Sequence, residues 1–370
     1  MKKLFILAAA IVAFASCQKE QASYVEDGSI KFTTMETRTA VSDINDLKGE
    51  GKGFTVFGFA NDVEIFSNVE ATYATGDSKE WWEMTTKRYW ADNTTYNFFA
   101  VYPKVTGNNK FTLATEGNEE AAEISFTNDG KTDLILAGTQ VNTTTGADGA
   151  GHGPAHMTFK HALSRVAFKF VNGYEPAEGS MPIYLNVEGL KLIGEKGIAT
   201  ATITSVVDEN ITDKSSSSVI TWSNIDKTEN GNIDFMEENN VDGDETKAQF
   251  TNAGHIVKGK DNAATTDYKY IFPATAETYK IACKITAYYD TNNDSKFTKE
   301  DDDVIRVFDY TTNYVTLTVG TSTELTHGVG QSYIYTMTVT EKLNEITFTV
   351  DVEDWATASE SEIKFPGDNN

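Results

Sequence analysis

The chain has 370 residues, with 31 Lys and Arg against 55 Asp and Glu, and a formal net charge of −24 at pH 7. That balance excludes nucleic acid and anionic lipid faces as partners, because both demand a basic surface. Two cysteines exclude a disulfide framework and any cysteine-rich zinc or iron–sulfur cluster, and the length allows one large core or two of ordinary domain size.

In chain order, Met1-Lys2-Lys3 is a short basic region, Leu4 to Phe14 is apolar, and the small residues Ala15 and Ser16 stand directly before Cys17. This is the layout of a secretory signal peptide over residues 1–16, too short for an ordinary membrane-spanning helix. The cysteine at the cleavage point resembles a bacterial lipoprotein signal, in which the Cys17 thiol is acylated and becomes the mature N-terminus. Several acyl chains anchor a folded domain firmly. A plain signal peptide with an incidental cysteine is the other reading.

Beyond the signal, period-2 alternation recurs and helical periodicity is almost absent. Ser29 to Met35 reads as a strand with Ile30 and Phe32 on one face. Gly53 to Ala60 follows, with Phe54, Val56 and Gly58 on one face and Phe57 and Phe59 on the other. Tyr96 to Pro103, Ala122 to Phe126 and Leu134 to Ala137 come next, then a Gly, Thr and Asn loop between Gly138 and Pro154. Val166 to Val171 alternates clearly, and residues 160–165 are either one helical turn or a crossover. A turn-rich stretch puts a boundary near residues 173–185. In the second half, 183–192, 197–204, 268–273, 279–288, 304–309, 313–319, 332–340 and 344–352 are strand-like. Residues 205–262 form a polar excursion with one or two strands.

Short alternating strands at this spacing predict an all-β protein of tandem antiparallel sandwiches. The domain reading is 1–16 signal, 17–38 leader, 39–178 first sandwich, 179–356 second sandwich and 357–370 polar tail.

Candidate sites are few. Cys283 shares a strand face with Ile281, Ile285 and Ala287, which reads as a small buried hydrophobe. His152, His156 and His161 lie close in sequence without the helical spacing of a zinc motif. Asp290, Asn292, Asp294 and Asp301 have calcium-loop offsets, but Ser295 stands where the sharp glycine turn belongs and strands flank the segment. No metal and no cofactor is assigned. Acidic residues are too many to nominate a glycosidase pair, and an enzyme is not expected. Trp81 and Trp82, with Trp90, form either an exposed sugar-stacking platform or the closed end of a core.

Several runs taken together resemble the fimbrillin family of Bacteroidales surface proteins. They are Arg88-Tyr89-Trp90 followed by Tyr96 to Pro103, Asp133 to Ala137, Phe159 to Phe168, Gly330 to Val339 and the terminal Val352-Glu353-Asp354-Trp355. The resemblance covers residues 28 to 356. It implies two transthyretin-like β-sandwich domains, lipoprotein export to the outer membrane and, in many members, assembly into fimbriae that serve adhesion to host or bacterial surfaces. It further implies an arginine-specific protease that removes the leader and its first strand. A strand of another subunit then fills the groove by β-strand complementation. Here the matching bond is Arg38–Thr39, the leader strand carries Ile30 and Phe32, and Ile363 and Phe365 of the tail echo it as a donor. The partners are thus other subunits, the lipoprotein-processing machinery, that protease and a surface ligand. The alternative is a lipid-anchored glycan-binding protein that does not polymerise.

Overall fold

Strands long in Phe, Val, Tyr and Ile are buried on both faces where a second layer covers them, and alternate where one face meets water. Both kinds are present. The computed structural model describes residues 28–34, 53–74, 81–104, 110–144, 153–175, 178–207, 218–236, 254–259, 263–274, 278–291, 297–298, 302–318, 327–343 and 345–354. Cys17, Arg38, Thr39, Ile363 and Phe365 lie outside the described residues, within which there is no helix.

The strands in order are β1 (Phe32–Thr34), β2 (Phe54–Ala60), β3 (Val63–Tyr73), β4 (Trp82–Met84), β5 (Thr95–Tyr102), β6 (Phe111–Thr115), β7 (Asn118–Asn128) and β8 (Ile135–Asn142). Next come β9 (Ala155–Met157), β10 (Lys160–His161), β11 (Ser164–Asn172), β12 (Ile183–Leu192), β13 (Gly197–Thr204), β14 (Ile220–Lys227), β15 (Ile233–Asp234) and β16 (His255–Val257). The last are β17 (Ala264–Thr265), β18 (Lys269–Ile271), β19 (Thr278–Tyr289), β20 (Asp303–Asp309), β21 (Val315–Thr318), β22 (Gln331–Val339) and β23 (Ile346–Asp354). The hairpin strand β3 and the short β6 escape the sequence reading. The polar excursion carries three described strands, β14 to β16, where one or two were expected, because even their few apolar residues suffice to cover a neighbouring sheet.

The first sheet runs β10-β8-β5-β2-β3-β4-β1-β9. Its two edge strands, β9 and β10, are nearly consecutive in the chain, so the sheet must curl into a half-barrel. Phe32, Phe54, Phe66, Trp82, Tyr96 and Phe98 fill its concave side. The convex side of β2 and β5 presents Phe57, Phe59, Phe99 and Val101 to a second sheet, β14-β13-β7-β6, and a separate core forms between them. This double coverage explains why successive residues of β2 and β5 are buried.

The third core lies between β17-β11-β22-β23, with β18 attached, and β15-β12-β19-β20, with β16 and β21 attached. Residues 160–165 are a crossover: β10 belongs to the half-barrel, while β11 belongs to this last sandwich. The expectation of purely antiparallel sheets is corrected at two places. β11 pairs parallel with β22 from Arg165↔Ser332 to Asn172↔Val339, and β1 pairs parallel with β9. Parallel neighbours need long crossovers, and alternation along one strand carries no trace of its partner's direction.

Sheets also cross residues 178 and 179. β11 lies with β22 and β23, while β13 pairs with β7 from Gly197↔Asn128 to Thr204↔Ala121. The indole N–H of Trp222 on β14 donates to the Ala162 carbonyl at 2.7 Å, tying the second sheet to the crossover.

Candidate functional site

β1 is three residues long, yet it sits inside a sheet rather than at its edge. Phe32 pairs antiparallel with Trp82 of β4 and parallel with Ala155 of β9, and the parallel ladder continues through Thr33↔His156 and Thr34↔Met157. Residues before it extend the contact. Ile30 N–H donates to the Arg88 carbonyl at 2.8 Å, Ala155 N–H donates to the Lys31 carbonyl at 2.9 Å, and Ser29 bridges Tyr89.

Alternation then assigns the side chains. Ile30 and Phe32 enter the concave core at 2 % and 0 % exposure. The Phe32 ring stands edge-on to Phe98 at 5.1 Å, Phe54 at 6.3 Å and Phe66 at 6.5 Å between centroids. Two such side chains contribute about 1.5–3 kcal/mol each by burial alone. On the other face, the Lys31 ammonium lies over the Trp81 ring and the Thr33 hydroxyl meets His156 Nδ1 at 2.6 Å. Without β1, this place would be a slot with unpaired edges on β4 and β9 and an aromatic pocket at its floor.

The slot's floor, to which β2 and β3 give Phe54 and Phe66, is set by close packing. Gly53, which opens β2, has φ +134° and a Cβ there would lie 2.2 Å from the Ala71 carbonyl oxygen, so only glycine lets β2 and β3 meet.

The tryptophans do not form a platform. Trp81, Trp82 and Trp90 are all buried: Trp82 packs on Phe54 and Tyr73, and Trp90 on Tyr96. The exposed sugar-stacking reading is corrected on that ground, since a closed ring offers no face to a glycan. They serve the slot instead.

His152 lies outside the described residues, and the histidines among the described residues do not converge. His156 binds Thr33, His161 meets Asp133 at 2.6 Å, and His327 bonds Tyr279 and Tyr335 through its two ring nitrogens. Burial holds His327 down to about 3, with Lys227 adding to the effect. Asp133 is pushed up by burial, against the bond from His161. Cys283 is buried with Ile281, Ile285 and Ala287, and its thiol is pushed up to about 12 by burial and then by Asp309. A thiol at that value is no nucleophile. In the acidic hairpin, Asp302 accepts from the Thr298 and Thr291 amides. Asn292, Asp294, Ser295 and Asp301 lie outside the described residues. No group of three His, Cys, Asp or Glu is poised for a metal among the described residues.

A family model described as Fimbrillin-like matches residues 37–355. The chain belongs to this fimbrillin-like family, whose members are structural fimbrial and adhesion subunits rather than enzymes. Among solved structures, it is similar to a fimbrial protein from Bacteroides vulgatus, with 17 % identity, 88 % of this chain and 99 % of that chain covered, and a TM-score of 0.55. It is also similar to a proposed cell adhesion protein from Bacteroides uniformis, with 16 % identity, 89 % and 100 % coverage and a TM-score of 0.43. The first likeness shows the fold. No curated protein matches the chain.

Proposed function

We propose that this chain is a lipid-anchored subunit of a surface fimbria that polymerises by strand exchange at the slot now filled by β1, and that the polymer serves adhesion. The observation that carries the reading is the position of β1, a short strand buried between β4 and β9 with Phe32 in a pocket of three phenyl rings. Losing a covalently tethered strand from that place costs two ladder edges and an apolar pocket, and both are restored by any extended segment with large apolar residues two apart. Cleavage after Arg38 by an arginine-specific protease releases the strand. The tail with Ile363 and Phe365 supplies the replacement from another subunit. Cys17, acylated after removal of residues 1–16, holds the chain at the outer membrane. We read the half-barrel with its covering sheet, and the remaining sandwich, as two transthyretin-like units whose strands interleave between β11 and β14.

The test is the N-terminus of the assembled fibre. Fibres are expected to begin at Thr39, and Arg38→Ala is expected to abolish them while leaving the precursor at the cell surface. Fibres that begin at Cys17 would overturn the reading.

A further inference from the structure

Ile-Lys-Phe occurs twice in the chain, at residues 30–32 and 363–365. The first copy is what the slot holds most closely, and its middle residue is buried like its flanks: Lys31 is 6 % exposed. Its ammonium stands 4.9 Å from the centroid of the Trp81 ring, which is itself buried. A buried ammonium has lost water, and an electron-rich ring face at this distance compensates for part of that loss, which favours lysine at the position.

We propose, resting on the strand-exchange reading above, that Trp81 is the specificity-determining residue of the slot. It reads a lysine between two apolar residues, and the occupant it admits in trans is Ile363-Lys364-Phe365 of a second copy. Two features support this occupant. The full chain carries a net charge of −24 and stays strongly acidic without residues 1–38, so copies repel, and a strand that delivers a cation to a buried ring is suited to offset that repulsion locally. The residue after the first tripeptide is Thr33, whose hydroxyl meets His156, whereas the second is followed by Pro366, with neither hydroxyl nor N–H. The trans strand therefore lacks that contact, and the lysine contact carries a larger share of its affinity. Trp81 also sets register, because a slip of one residue would send the lysine into the phenyl pocket.

The test uses the full chain. In purified protein, Lys31→Met and Trp81→Leu are compared singly and together by urea unfolding, with Trp81→Phe in reserve should the leucine variant fail to fold. Lys31→Met is expected to lower the folding constant roughly tenfold and Trp81→Leu by more, since it also opens a cavity, and the pair no more than Trp81→Leu alone. On cells, Lys364→Met is expected to weaken fibres roughly tenfold in dissociation, with that effect lost when Trp81 is replaced. Additive effects of Lys31→Met and Trp81→Leu would overturn Trp81 as the lysine reader. Fibres lost with Phe365→Ala but indifferent to Lys364→Met overturn the lysine reading and leave strand exchange standing. Fibres unchanged by deleting residues 361–367 overturn strand exchange, and the trans occupant with it.

Discussion

Phe32 concentrates the slot's energetics in one side chain. Fully buried and in contact with three phenyl rings, it leaves a cavity when truncated, because Phe54, Phe66 and Phe98 are held by their own strands. Phe32→Ala is expected to cost about 3–5 kcal/mol of precursor stability in denaturant unfolding, and a loss under about 1 kcal/mol would mean that β1 is not seated there. His327 supplies a pH signature. Folded, its value is near 3, and unfolded it returns to 6.5. Between those values the unfolded chain binds more protons, so its contribution is full above about pH 6.5 and is lost as pH falls toward 3. The melting temperature should drop through that window, and His327→Gln should flatten the drop. At this scale the sequence told much: alternation placed Ile30 and Phe32 on one face and Cys283 among hydrophobes. It was silent on Lys31 and Trp81, because fifty residues separate them and only the fold brings them to one place.

Strands show where pattern reading succeeds and where it stops. β2 and β5 were legible as apolar-rich runs, and the two faces of β2 were correctly divided, since burial on both sides calls for large apolar residues at successive positions. β3 was missed because one side of the hairpin faces water and its residues are largely exposed or half-buried. The approach of β8 to the neighbouring sheet was likewise invisible. A Cβ on Gly138 would lie 2.6 Å from the Thr204 carbonyl oxygen, and Gln140 N–H donates to the Val206 carbonyl at 2.8 Å. The obstacle is backbone, which cannot swing aside. Gly138→Ala is expected to separate β8 from the end of β13 and cost about 1–3 kcal/mol, read as a lower denaturant midpoint with unchanged far-UV spectrum.

The whole molecule is woven rather than strung. β11 sits among strands that follow residue 179, and β13 and β14 sit among strands that precede 178. Separate expression of 28–178 and 179–356 should therefore give two insoluble fragments, each lacking strands of its sheets, whereas co-expression restores a soluble pair. Two independently soluble, folded halves would refute the interleaving. The acidic charge keeps its opening meaning, a statement of which partners are excluded. The all-β class, the faces of β2, the Cys283 face of β19 and the family were legible in the residues alone, because side-chain periodicity and motif order are local properties of a chain. Only the tertiary structure decided which strands are neighbours, in which direction they run and what lies over Lys31. Those are contacts between residues far apart in sequence, and a strand's own pattern shows that one face is buried without showing against what.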